Sequence, residues 1–134
     1  MTYVRVSQII AASLCVGSID SFHSGIGGGG HILVHHNGQG QHIDMRETLP
    51  AAGYPEIFKD HGANSSVLGG LAVGVPGEVR GWEALHKRYG KMQWEQLFQP
   101  AVQINYGGFK VPNQLATAIR ENEEYVCQGY FKET

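Results

Sequence analysis

The sequence predicts a mixed α+β chain, and three observations carry that reading. An apolar stretch rich in small residues near the start has helical character. A hairpin signal follows it, and the second half repeats amphipathic helical spacing.

The first element, residues 7–18 ("SQIIAASLCVGS"), reads as a helix. It is apolar nearly all round, so it is expected to lie buried between layers. Met1, Arg5 and the apolar run Ile9–Val16 share the outline of a signal peptide. The run is too short to span a bilayer, and Ser7 and Gln8 interrupt its approach, so a buried helix is the favoured reading.

Asp20–Gly30 is expected as a loop, and His31–His36 as a strand. Asn37-Gly38 then marks a type I′ hairpin, because both central positions of that turn need positive φ. The return strand is placed over Gln41–Arg46. Thr48-Leu-Pro-Ala-Ala ends it and leads to a polar loop, "KDHGANSS". Leu71–Val75 reads as a short strand-like stretch. Pro76-Gly77 turns into a helix that carries Val79, Trp82, Leu85, His86 and Tyr89 on one face, closed by Gly90. Trp94, Leu97, Phe98, Ala101, Val102 and Ile104 mark the next helix, with Pro100 bending or restarting it and Gly107-Gly108 ending it. Pro112 opens a last helix with Leu115, Ala116, Ile119 and Val126 inward.

These 134 residues suit one small domain or a piece of a larger one. A net charge of −2 gives nucleic acid no electrostatic support. Charged residues are only 16% of the chain and glycine fills 19 positions, a pairing that points to segments covered by other protein. Cys15 sits in the apolar helix, where a free thiol behaves as a small hydrophobe. With Cys127 as the only other cysteine, no disulfide framework is expected.

Several constellations invite a functional reading. Gly25, Gly27 and Gly30 match G-x-G-x-x-G, but a dinucleotide fingerprint needs strand, glycines, helix in that order. Here a helix precedes and a strand follows, and Pro50 stands where the acidic residue belongs. The glycines are therefore expected to permit close backbone packing. His31, His35, His36 and His42 invite a metal reading, with His36 and His42 expected near each other across the hairpin. Two ligands do not make a four-ligand structural site, so packed or solvated histidines and no metal are expected. Asp20, His23 and Ser24 have the residue types of a hydrolase triad, but such near neighbours in a loop rarely converge. Arg46 and Glu47 stand at the end of the return strand, and Arg offers a planar fork for a carboxylate. Residue types alone favour an ordinary surface ion pair there.

Five stretches together resemble one family: "AASLCVG", "HSGIGGGG", "RETLPAA", "GGLAVGVPGEVRGWEALHKRYG" and "WEQLFQPAVQI". Their order and spacing resemble the early large subunit of the γ-glutamyltransferases (γ-glutamyl transpeptidases, glutathione hydrolases), which are N-terminal nucleophile hydrolases. The likeness covers about residues 9–119, and "HSGIGGGG" looks most like fungal members. It implies that residues 1–134 are a single partial domain, an incomplete part of an αββα four-layer sandwich. It also implies a precursor that cleaves itself into two subunits. The new N-terminal Thr of the small subunit then attacks the γ-glutamyl amide of glutathione, with its own α-amino group as base. The glutamyl group passes to water, an amino acid or a peptide, and no cofactor is involved.

On this resemblance Arg46 matches the Arg of the family's R-E-x-x-P motif, which grips the α-carboxylate of the γ-glutamyl group. Glu47 takes the next position and is assigned to support Arg46 or nearby backbone. No catalytic residue is expected on this chain, since Thr2, Thr48, Thr117 and Thr134 lack processing-site surroundings. The implied partners are glutathione or another γ-glutamyl substrate and the small subunit. "MTYVRVSQ" and "RENEEYVCQGYFKET" depart from the family pattern, so a fragment, a truncated product or a degenerate copy is expected. An inactive remnant and a related γ-glutamyl or acyl amide acylase stay open as alternatives. Family members enter the secretory pathway, reaching membrane-anchored, extracellular or vacuolar sites. Asn64-Ser65-Ser66 is an N-glycosylation sequon consistent with that route.

Overall fold

The computed structural model describes residues 2–62 and 64–127, and side chains within residues 6–126. Its elements are helix α1 (Thr2–Ile19), strands β1 (His31–His36) and β2 (Gln39–Asp44), and the short helix α2 (Ile57–Asp60). Four further helices follow, α3 (Glu78–Tyr89), α4 (Trp94–Gly107), α5 (Asn113–Glu121) and α6 (Glu123–Cys127). The chain forms two compact units. One comprises residues 1–25 and 86–134, the other residues 26–85.

In the first unit α1 packs on α4. Val6, Ile10 and Leu14 of α1, one helical face, are buried, as are Leu97 and Ala101 of α4. Asn105 Nδ2 donates to Ser18 Oγ (2.8 Å) and to the Ala101 carbonyl (2.9 Å), tying the two helices by a polar contact. The expectation that α1 is buried all round needs correction. Ile9 and Val16 are exposed, because the neighbours within this unit cover one face alone. Cys15 is a free, half-buried thiol, and the side chain of Cys127 lies outside the described residues.

α4 runs unbroken through Pro100, without the restart that was one of the two expectations there. Proline costs one backbone bond in a helix. Burial of Leu97 and Ala101 on either side offsets that loss. Gly108, at φ 74°, ends the helix. Pro112 caps the start of α5 as expected, but no α5 residue is buried and Ile119 is exposed. The last helix is also divided. Asn122 Nδ2 donates to the Ala118 carbonyl (2.9 Å), competing with the helical pattern and stopping α5 before α6 begins.

In the second unit β1 and β2 form an antiparallel pair with His36 opposite Gln39 and His31 opposite Asp44. The turn is the one expected, with Asn37 at φ 51° and Gly38 at φ 77°. β2 begins at Gln39 and ends at Asp44, earlier than the expected Gln41–Arg46, because a two-residue turn lets pairing resume at once. Ile32 and Ile43 face each other in the ladder and are both buried. The polar loop starts with α2, and the expected strand at Leu71–Val75 is a 3-10 turn over Gly70–Ala72. Val75 keeps a single antiparallel bridge, to Thr48. Gly69, at φ 83°, places the chain in a conformation that an extended strand does not adopt.

α3 starts where Pro76-Gly77 predicts. Its buried positions are Glu78, Gly81 and Leu85. Trp82 Nε1 donates to Glu78 Oε1 (3.2 Å), which gives the buried carboxylate a partner in the first helical turn. No helix among the described residues is long and apolar enough to cross a membrane.

Candidate carboxylate-binding site

The glycine run and the end of the hairpin meet in the second unit. The Gly28 carbonyl accepts the N–H groups of Gly77 and Glu78, both at 3.0 Å, and so satisfies donors that the start of α3 leaves free. Gly30 and Met45 exchange backbone bonds of 3.2 and 3.0 Å, extending the hairpin ladder one step beyond β1 and β2. Between these anchors Gly29 lies against the Met45 carbonyl. A Cβ there would collide with that oxygen and approach the Glu47 amide nitrogen to 3.0 Å. Thus Gly28, Gly29 and Gly30 act in backbone packing, as the expected reading of the run has it, whereas a Cβ at Gly25 or Gly27 would meet nothing within 4 Å.

This packing delivers Arg46 and Glu47 just past β2. The Arg46 amide donates to Asp44 Oδ1 (3.0 Å), and Thr48 exchanges backbone bonds with Val75 (3.2 and 2.9 Å). Arg46 is therefore held on both sides by its neighbours' hydrogen bonds. Its side chain is 63% exposed, with Nη1 3.2 Å from Glu47 Oε2. Among the described residues the guanidinium meets Glu47 alone. That contact is an ion pair without hydrogen-bond alignment, since Glu47 Oε2 is buried and accepts no hydrogen bond. The planar fork thus keeps donors for a second carboxylate.

Other sequence candidates fall differently. His42 stands opposite Leu33, so it shares a face with His31 and His35, not with His36. His31 Nδ1 and His42 Nε2 are 3.1 Å apart, and the expected His36–His42 approach is replaced by this pair. Among the described residues no group of three or more His, Cys, Asp or Glu is arranged to hold a metal ion. Asp20 and His23 do pair (Oδ2 to Nδ1, 3.3 Å) on an exposed turn. Ser24 joins them through its backbone N–H to the Asp20 carbonyl (3.1 Å), which is a turn contact and not a nucleophile's. Asn64 is exposed, and its carbonyl accepts the N–H groups of Val67 (3.0 Å) and Leu68 (2.9 Å).

Sequence reasoning missed Asp44. A carboxylate two residues before an Arg on an exposed strand edge carries no signal until the Asp44–Arg46 turn is visible.

Comparison with known proteins places this chain in a class. The family model for Gamma-glutamyltranspeptidase matches residues 6–133. The crystal structure of the Helicobacter pylori γ-glutamyltranspeptidase superposes with a TM-score of 0.87 at 30% identity, covering 95% of this chain and 38% of that one. The γ-glutamyltranspeptidase from Pseudomonas nitroreducens, complexed with L-DON, gives 0.78 at 31% identity, covering 92% of this chain and 38% of that one. The chain therefore carries part of the α+β N-terminal nucleophile hydrolase fold of these structures. Glutathione hydrolase proenzyme 1 of Schizosaccharomyces pombe is 42% identical over 129 residues, which is 95% of this chain and 20% of that protein. Glutathione hydrolase proenzyme of Arthroderma benhamiae is 50% identical over 96 residues, 71% of this chain and 16% of that protein. This chain belongs to the γ-glutamyltranspeptidase family. It spans about a fifth of the length of these hydrolase relatives.

Proposed function

We propose that this chain supplies the carboxylate grip of an enzyme that cleaves the γ-glutamyl amide of glutathione. The observation that carries the reading is Arg46: a backbone held from both sides, a guanidinium open to solvent, and one misaligned carboxylate beside it. A substrate α-carboxylate would take two parallel N–H donors from this fork. Glu47 positions the guanidinium from its buried side.

The nucleophile belongs to the small subunit, whose N-terminal Thr attacks the amide and passes the glutamyl group to water, an amino acid or a peptide. Both units described above would then be parts of one larger sandwich. A grip without a nucleophile holds substrate but does not turn it over. The purified chain is therefore expected to leave a γ-glutamyl anilide intact, and hydrolysis above a heat-killed control would overturn this division of labour. Asn64, exposed on its turn, would carry a glycan when the protein passes through a secretory pathway. A mass shift removed by glycosidase and absent in Asn64→Gln tests that part.

A further inference from the structure

The hairpin has a second chemical feature, independent of Arg46. Alternate residues of a strand share a face, and the register His31–Asp44 and Leu33–His42 puts His31, Leu33, His35, His42 and Asp44 together. His31 and His42 are diagonal neighbours across the ladder, within reach of long side chains. Their facing nitrogens, Nδ1 and Nε2, stand 3.1 Å apart, and Asp44 Oδ1 lies 3.6 Å from the same His31 Nδ1. Both His31 and Asp44 are more than half exposed. Beside the pair is a shallow hollow of about 330 Å3, lined by Leu33, Val34, His35, Gly40, Gln41 and His42. Gly40, opposite His35, contributes no side chain to fill it.

We propose that His31 and His42 form a two-imidazole site for a first-row transition-metal dication, with Zn2+ as the fitting ion. Nitrogen–zinc bonds of about 2.0–2.1 Å require two ligating nitrogens to stand roughly 3 Å apart. The hairpin already sets that separation, so binding needs ring adjustment and no backbone movement. The 3.1 Å contact is a hydrogen bond whose donor and acceptor are set by the tautomers of the two rings. Ligation needs a lone pair from each facing nitrogen, so the hydrogen between them gives way to the metal. Among the described residues no third side chain is arranged as a ligand, so solvent at this exposed pair completes the coordination. The Asp44 carboxylate supplies negative charge alongside and is held in place by the Arg46 amide. Imidazole donors select zinc, nickel or copper over magnesium and calcium, which demand oxygen ligands.

Titration of the full chain with ZnCl2 in a non-coordinating buffer tests the site, followed by calorimetry and by the imidazole proton resonances. One zinc per chain is expected, with the His31 and His42 resonances moving together and MgCl2 without effect. His31→Gln and His42→Gln should each weaken zinc binding at least tenfold, and Asp44→Asn by a smaller factor. His61→Gln, off the hairpin, should leave it unchanged. The wild-type resonances need no substitution, so a variant that folds poorly does not leave the question open. Absence of binding at millimolar zinc, shifts confined to other histidines, or undiminished affinity in the His31/His42 double variant would each overturn the proposal.

Discussion

Glu47 Oε2 lies 3.2 Å from Arg46 Nη1 and is buried, yet it accepts no hydrogen bond. Its partner is 63% exposed, so solvent screens the attraction and the pair contributes little to stability. A buried carboxylate oxygen without a hydrogen bond carries a desolvation cost that offsets this small gain. Glu47→Gln is therefore expected to change unfolding free energy by no more than about 1 kcal/mol in either direction. Urea denaturation of the two chains measures it. A loss several times larger would mean that Glu47 holds the fold together, contrary to a positioning role.

The glycine run should respond very unevenly to alanine. Gly29 faces the Met45 carbonyl and the Glu47 amide, whereas a Cβ at Gly27 meets nothing within 4 Å. Backbone cannot move aside as a flexible side chain can. Gly29→Ala should cost about 1–3 kcal/mol through overpacking, and Gly27→Ala should stay within about 0.5 kcal/mol. Equal midpoints for the two variants in denaturant would contradict the packing role assigned to Gly29.

In the first unit, Ser7 is fully buried and its Oγ has no hydrogen-bond partner. Alanine removes the stranded hydroxyl at nearly constant volume and is also the better helix former. Ser7→Ala should raise stability by about 1 kcal/mol. A thermal melt reads the change directly, and a lowered midpoint would show that the hydroxyl is satisfied in solution.

Much of this architecture was legible because a few residues decide it. Asn37-Gly38 specified the hairpin, since only one common turn uses two left-handed residues in succession. Pro76-Gly77 marked the start of α3. The error at β2 was a matter of counting. A two-residue turn sets His36 against Gln39, and that register carries His42 to the face of His31. The 3-10 turn at Gly70–Ala72 was not legible, because "LAV" suits a strand until the positive φ of Gly69 is known. The exposure of Ile9 and Val16 was hidden for another reason: composition reports that a helix is apolar, not which of its faces finds a neighbour. Arg46 is the opposite case. Residue types alone favoured a surface ion pair, and the family motif was what singled it out.

Tyr54 provides a pH dependence that can be followed optically. Its hydroxyl donates to Asp60 Oδ2 at 2.7 Å. The negative carboxylate disfavours the phenolate, and slight desolvation adds to it, so the Tyr54 pKa lies above its ordinary 10.0. A raised folded-state value means that the protonated form is the one the fold favours. This contribution is complete below pH 10 and is lost as pH rises through the folded-state value. Difference absorbance between the wild type and Tyr54→Phe should show a tyrosine ionising above pH 10. Asp60→Asn should bring that transition down. An unmoved transition would exclude the carboxylate as its cause.

The Arg46 assignment makes the sharpest demand, because lysine keeps the charge and loses the fork. If the guanidinium only adorned the surface, Arg46→Lys would be silent, as most exposed ion-pair substitutions are. If it grips a carboxylate through two parallel N–H bonds, one of those bonds has no equivalent on an ammonium group. The loss is then that of a hydrogen bond to a charged group, about 1.5–3 kcal/mol of substrate binding. In an enzyme containing this segment together with its small subunit, that appears as a Michaelis constant raised roughly 10- to 150-fold. Turnover at saturating substrate should fall less, since the grip binds ground state and transition state alike. Glu47→Gln in the same enzyme should move the Michaelis constant by a smaller factor, because the fork remains and only its orientation loosens. An unchanged Michaelis constant for Arg46→Lys would remove Arg46 from the site, whatever became of the fold.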